Sequence, residues 1–235
     1  MPDVRDTFQN LSPLRLNGAD LLADSSGALL WPERRVMVVA DLHLEKGSGF
    51  AARGRMLPPY DTRATLERLG EAMARLTPAT LLCLGDSFHD RKAETRMAPD
   101  DAEALRALTA SVDWVWITGN HDPEPPRGLG GRAAAEVTLG PLVFRHEAVP
   151  GAVGELSGHL HPVATVRVTS GRVRARCFAE DGNRLVMPAF GAFAGGLNVM
   201  DPAVRGLFPG GFAVHMIVRD RVHRFPAGRL QAGAA

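Results

Sequence analysis

Lysine is nearly absent: Lys46 and Lys92 are the only two in 235 residues, so arginine carries almost all the positive charge. Neither sign of charge dominates. With 27 Lys+Arg against 26 Asp+Glu the formal net charge is +1, which argues against a general electrostatic affinity for nucleic acid or an anionic membrane. Balanced totals still allow a local basic patch, and the planar arginine fork suits phosphate; the scatter of the arginines is also what an arginine-favouring coding bias produces. Cysteine is equally scarce. Cys83 lies in the apolar run 81–84 and Cys177 in a strand candidate, so neither a zinc-binding pair nor a disulfide scaffold is indicated. No uninterrupted apolar stretch is long enough for a membrane span. The opening Met1-Pro2-Asp3-Val4-Arg5-Asp6 lacks the basic start and apolar core of a secretory signal. A cytoplasmic protein without membrane association is expected. No linker, internal repeat or extended low-complexity segment interrupts the chain, and 45% hydrophobic content can fill one substantial core, so residues 1–235 are read as a single domain.

The apolar residues fall into short runs, most of which end in polar groups. Residues 36–40, 80–84 and 112–118 read as buried strands that deliver Asp41, Gly85-Asp86 and Gly119-Asn120. Between the first two, Asp61 is a candidate cap for a helix whose Leu66, Leu69, Met73 and Leu76 share one face. Between the second and third, residues 100–109 read as a helix started by Pro99 and acidic residues. This alternation predicts an α/β sheet with its active loops at the carboxyl edge. After the Pro/Gly-rich stretch 123–131 the pattern changes to short strands at 137–139, 142–144, 155–157, 163–169, 173–178, 212–218 and 222–225, with turns at Ser170-Gly171 and Asp181-Gly182. The expected fold class is α/β, a four-layer α-β-β-α sandwich of two facing mixed sheets with helices outside both.

Five polar segments carry the chemistry. Asp41 and His43 alternate around Leu42, so extended backbone would aim a carboxylate and an imidazole at one face, a pair suited to a divalent metal such as manganese, iron or zinc. Gly85 would let the chain turn closely around an ion, and the two oxygens of Asp86 can bridge two metals. In Gly119-Asn120-His121-Asp122 the amide oxygen of Asn120 is a ligand candidate, His121 a proton donor, and Asp122 an acceptor for the other imidazole nitrogen of His121. Gly158-His159-Leu160-His161 offers two more donors at alternating positions, and His146 another. Singly, each segment also reads as a turn or a packed or exposed histidine. Together they supply a shared carboxylate and several neutral imidazoles, the inventory of a two-metal phosphoester hydrolase.

In order, Asp41-x-His43, Gly85-Asp86, Gly119-Asn120-His121-Asp122, His146 and Gly158-His159-x-His161 resemble the motifs of the calcineurin-like metallophosphoesterase family. The resemblance spans roughly residues 36–161, with Arg145-His146 standing where the family has a glycine-histidine step. It implies that Asp41, His43, Asp86 and His161 hold one metal and that Asp86, Asn120, His146 and His159 hold the other, with Asp86 bridging. It further implies that His121 protonates the leaving oxygen with support from Asp122, and that hydroxide activated by the metals attacks without a covalent enzyme intermediate. Two divalent ions are the implied cofactors, manganese being expected, with iron or zinc accommodated by the same mixed donors.

Residues 40–46, 85–90 and 188–196 are further similar to the bacterial ligase-associated DNA damage response phosphoesterases of the PdeM group. That likeness implies a DNA-processing nuclease acting in repair, in functional association with a DNA ligase and a helicase. Lys46, Arg53 and Arg55 after the first motif, and His89, Arg91 and Lys92 after the second, are candidates for phosphate contact or for a solvated surface. Phe190 and Phe193 are candidates for stacking on a base or for core packing. Two other readings use the same residues: a phosphatase or small-molecule or cyclic-nucleotide phosphodiesterase, and a non-enzymatic partner-binding protein that retains the fold. A homodimer is compatible with the chain, although no heptad or apolar face selects one.

Overall fold

Residues 10–55, 57, 58, 60–124, 126, 128–169 and 171–232 are described by a computed structural model of the chain. The opening residues 1–6 and Ser170 of the expected turn lie outside them. The first sheet runs β1 (Leu11–Leu16), β2 (Ala19–Asp24), β3 (Leu29–Trp31), β4 (Val36–Val39), β5 (Thr80–Leu84), β6 (Asp113–Ile117) and β7 (Arg132–Ala134), in that spatial order. The first four strands pair antiparallel and the last four parallel, so the sheet is mixed. The parallel half is built by crossovers through α1 (Lys46–Ala51) and α2 (Asp61–Leu76), then through α3 (Ala93–Arg96) and α4 (Pro99–Ala110). Register aligns Val39 with Cys83 and Leu84 with Ile117, so the three strands end at one edge.

The parallel strands are apolar on both faces because both are covered. Val36, Val38, Ala40, Leu82, Leu84, Val115 and Ile117 pack against Phe144, Leu156, Phe178 and Leu185 of the second sheet. Their alternates Met37, Val39, Leu81, Cys83, Trp114 and Trp116 pack against Leu66, Leu69, Met73 and Leu105 of the helices. Pro99 and the acidic first turn start α4 as the sequence indicates, and Asp101 of that turn accepts from Arg63 of α2 at 2.5 Å.

The second sheet is ordered β14 (Leu197–Asn198), β11 (Pro162–Val168), β12 (Gly171–Glu180), β13 (Arg184–Val186), β10 (Glu155–Ser157), β9 (Leu142–Arg145) and β8 (Glu136–Leu139), with β15 (Ala213–Val218) on β12 and β16 (Arg221–Pro226) on β15. It too is mixed, and β10 runs parallel to both β9 and β13. Its outer face packs on Val199, Val204 and Phe208, around the four-residue α5 (Pro202–Arg205). The chain is therefore an α/β sandwich of two mixed sheets flanked by helices, and the layer outside the second sheet is thin. Among the described residues no helix is long and apolar enough to cross a membrane.

Several details depart from the sequence expectation. Asp61 is the first residue of α2 and Tyr60 precedes it as the cap position, while the Asp61 carboxylate accepts from the Gly47 amide at 3.0 Å and ties α1 to α2. Strands β7, β13 and β14 are not expected from the sequence, and neither are β1 to β3. Their signal was present in Asn17-Gly18, both at positive φ (44° and 89°), which close the β1–β2 hairpin between Leu14-Arg15-Leu16 and Ala19-Asp20-Leu21.

Candidate metal centre

The edge where β4, β5 and β6 end meets the ends of β9 and β10. Asp41 lies just past β4, Asp86 past β5 and Asn120 past β6; His146 follows β9, and His159 and His161 fill the link from β10 to β11. Register in both sheets brings these loops to one place, since Ser157 pairs with Arg145 just before His146 and Gly158.

The loops are not extended. Asp41, His43, Asp86, His159 and His161 all have left-handed backbone, with φ of 53°, 44°, 46°, 67° and 45°. The alternation expected for Asp41-x-His43 and His159-x-His161 is therefore replaced by successive tight turns. Each such residue costs about 1–2 kcal/mol relative to the right-handed regions, and the surroundings must impose it. Backbone bonds do so: the amides of Asp41 and His43 donate to the carbonyls of Gly85 and Asp86 at 3.2 and 2.9 Å, and those of Phe190 and Gly191 donate to Ala40 and Asp41 at 2.8 and 3.1 Å. Glycine is required at two of the turns. A Cβ on Gly85 (φ 74°) would sit 2.5 Å from the His146 ring, and one on Gly119 would overlap the Asp86 amide and carboxylate.

Two groups of ligand atoms result, each with its members within 4.8 Å of one another: Asp41, His43 and His161, and Asp86, His146 and His159. In the first, His43 Nε2 lies 3.1 Å from His161 Nε2, which lies 3.4 Å from Asp41 Oδ1. In the second, His146 Nε2 lies 2.8 Å from Asn120 Oδ1, 3.2 Å from His159 Nδ1 and 3.4 Å from Asp86 Oδ1. These are separations between atoms that carry lone pairs. His146 Nδ1 donates to the Leu84 carbonyl at 2.9 Å, which leaves Nε2 of the neutral ring without a proton among acceptors. Burial pushes His43 down to about 2, with the charges of His161, His121, Lys46 and His89 acting the same way, so this ring is also a neutral donor. Donors that each bind at roughly 2.0–2.2 Å to one ion stand about 3 Å apart, so the spacing fits a divalent cation in each group. The carboxylates are shielded from water, Asp41 at 0% and Asp86 at 2% exposure.

Asn120 thus joins the second group, as the family motif implies. Asp86 also tightens the centre from within: its Oδ1 accepts from the His121 amide at 2.9 Å, and its Oδ2 lies 3.9 Å from His121 Nε2. The His121 side chain is 41% exposed and its ring stands edge-on to His43, with centroids 5.4 Å apart. Its Nδ1 donates to the His89 carbonyl at 2.8 Å. The acceptor expected for that nitrogen was Asp122, and here the structure corrects the sequence reading. Asp122 faces inward and accepts from the amides of Ser87, Phe88 and Gly119 at 2.7, 3.1 and 3.2 Å, holding the Asp86 loop in shape. Burial pushes its carboxyl up to about 6, with the Asp86 charge acting the same way and those three amides opposing. The carbonyls of Leu84 and His89, which orient two rings, have no sequence signal because every residue carries one.

Of the expected substrate contacts, Lys46, Arg53 and His89 lie near the centre. Burial and the charges of Lys46, His121 and Arg53 push His89 down, and its ring stacks on His121 with centroids 5.8 Å apart. Lys46 Nζ donates to the Phe193 carbonyl at 3.0 Å. Arg55 is exposed, and no described contact ties its side chain to the metal donors. Arg91 lines a separate cavity of about 160 Å³ with Phe88, Asp122 and Glu124. Phe190 is fully buried, which settles it as core, whereas Phe193 is 36% exposed.

The sandwich and the paired donor groups define a metal-dependent hydrolase with a two-metal site. Residues 34–167 match the model of the calcineurin-like phosphoesterases, and the chain belongs to that family. Among solved structures it is similar to that of the Pseudomonas putida nuclease MPE, with a TM-score of 0.71 and 28% identity over 92% of this chain and 100% of that one. It also matches YfcE, a phosphoesterase from E. coli, with a TM-score of 0.43 and 16% identity over 81% of this chain and 98% of that one. No curated protein sequence matches.

Proposed function

We propose that the chain is a two-metal phosphodiesterase that cuts DNA, with manganese as its working metal. The observation that carries the chemistry is the pair of adjacent donor groups, Asp41–His43–His161 and Asp86–Asn120–His146–His159, at one sheet edge. The likeness to a nuclease over 92% of the chain supports DNA as the substrate. The likeness of residues 40–46, 85–90 and 188–196 to the ligase-associated phosphoesterases supports a role in repair beside a ligase and a helicase, in the cytoplasm.

When bound, two ions would supply charge for the phosphoryl oxygens and lower the pKa of water for in-line attack. The chain's own residues do the rest. Asp86, whose Oδ1 accepts from the His121 amide and lies 3.4 Å from His146 Nε2, would hold the ion of the second group and, as the family motif implies, would be shared with the first. With Nδ1–H held against the His89 carbonyl, His121 would act as an imidazolium, give its Nε2 proton to the leaving oxygen and remain as the neutral Nδ1–H ring, to be reprotonated by the proton that the attacking water releases. Lys46 and Arg53 add positive charge on the same side. Asp122 acts on the loop that carries Asp86 rather than on the imidazole.

The test is to load the purified protein separately with manganese, iron and zinc. Each form is then assayed on single- and double-stranded DNA, a cyclic nucleotide, a phosphate monoester and bis(p-nitrophenyl) phosphate. The reading expects DNA cleavage that is strongest with manganese. A preference for a monoester or a cyclic nucleotide over every DNA would replace it.

A further inference from the structure

Beside the metal centre lies a cavity of about 320 Å³ whose polar side chains are Arg68, Arg176 and His161; Val163 and small residues of the 189–195 loop form the rest of its wall. His161 also belongs to the first donor group, so cavity and metal site share a wall. Among the described residues no carboxylate lines it. Arg68 and Arg176 come from α2 and β12, on different layers, and meet behind the loop that follows β13.

Their surroundings do not neutralise them. Each guanidinium carries five N–H donors. One of Arg68 goes to the Phe190 carbonyl, and two of Arg176 go to Ala189 at 3.3 Å and Ser26 at 2.9 Å. Arg68 Nε is enclosed without a partner. The acid that acts on Arg176, Asp24, is already held by both terminal nitrogens of Arg75 at 2.6 and 2.9 Å. Burial pushes Arg176 down to about 10, the charge of Arg68 acts the same way and Asp24 opposes, while burial alone lowers Arg68. Two like charges kept half-buried and adjacent are costly without an anion to offset them. The alanine and glycine wall leaves the forks reachable, and the forks match a phosphate.

From this geometry we propose that the Arg68–Arg176 cavity binds a phosphate of the nucleic-acid strand flanking the scissile one. The proposal rests on the phosphodiesterase reading above and adds the subsite that makes a polynucleotide a better substrate than a small diester. Neither arginine stands in a recognisable phosphate motif.

The test compares Arg68→Gln, Arg176→Gln and Ala192→Asp with wild type on two substrates: a single-stranded oligothymidylate, and bis(p-nitrophenyl) phosphate, which has no flanking phosphate. Ala192 is an exposed wall residue, so its aspartate would oppose the pocket's charge with both arginines in place. Each variant should raise KM for the oligonucleotide about tenfold. The two arginine variants should also flatten the salt dependence of kcat/KM for the oligonucleotide by about 0.7 per arginine removed. kcat/KM for the small diester should stay within about twofold of wild type. Equal loss on both substrates would make the arginines mere supports of the 189–195 loop and overturn the proposal, and so would unchanged oligonucleotide kinetics in Ala192→Asp. A wild type that hydrolyses the small diester and not the oligonucleotide would also overturn it. Wild type inactive on both, with metals loaded, would fail the phosphodiesterase reading itself.

Discussion

The Nδ1 of His146 donates to the carbonyl of Leu84, 62 residues earlier in the chain, at 2.9 Å. One backbone oxygen at the end of β5 therefore fixes the tautomer and the direction of a ring delivered by the other sheet. The contact works because Gly85 leaves room for the imidazole.

Gly85→Ala should break this arrangement, since the new Cβ meets the ring at 2.5 Å and the backbone is left-handed with φ 74°. Affinity for the ion held by the Asp86 group should fall by about 10- to 100-fold, while the Asp41 group keeps its own. Titration of manganese by calorimetry checks this: one weakened site beside one intact site is expected, and two unchanged sites would refute it.

His121→Ala should lower kcat by about 10²–10⁴-fold and leave the metal content unchanged, because the role proposed for the ring is to protonate the leaving oxygen and it is not among the grouped ligands. Metal analysis beside turnover on bis(p-nitrophenyl) phosphate separates the two effects. Normal turnover in the loaded variant would remove the proton-donor role.

Arg184 and Glu155 form an almost dry ion pair, Nε to Oε2 at 2.8 Å with side-chain exposures of 5% and 0%, at the start of the strand that leads to His159. Arg184→Met leaves Glu155 with the Val149 amide at 2.8 Å and Arg145 at 3.7 Å, both on Oε1, takes the partner from Oε2, and should cost about 3 kcal/mol by chemical denaturation. Pairing it with Glu155→Leu should recover much of that loss. A single variant as stable as wild type would contradict the assignment.

Glu180 faces His215 and Arg224, at 3.5 and 3.6 Å. Burial pushes its carboxyl up, but His215, Arg224 and the Gly182 amide outweigh that, and the pKa ends below the ordinary 4.5. A carboxylate depressed on folding stabilises the fold above its unfolded pKa and loses that contribution as the pH falls through the folded one. The difference in melting temperature between wild type and Glu180→Gln should therefore be full above about pH 5 and shrink on acidification. A difference that grows toward low pH would reverse the sign of the argument.

Much of the centre was legible in the sequence because each ligand follows an apolar run, and buried parallel strands end together. Asp41, Asp86 and Asn120 could be assigned to one edge from that pattern alone, and the second sheet brought His146 and His159 to it. The backbone of the ligand loops was not legible. Asp and His at positive φ carry no local mark, and only contacts across the sheets impose the turn. The partner of His121 was misread for a related reason: neighbours in sequence suggested Asp122, while the fold turns that carboxylate inward and supplies a carbonyl instead. Arg68 and Arg176 were invisible as a pair, since an arginine on a helix and another in a strand look like solvated charges until packing encloses both.

The most direct test is a crystal structure of the manganese-loaded protein with anomalous scattering recorded for manganese. Two peaks are expected, one among Asp41, His43 and His161 and one among Asp86, Asn120, His146 and His159. A peak in neither group, or a single ion away from Asp86 and His146, would contradict the two-metal centre.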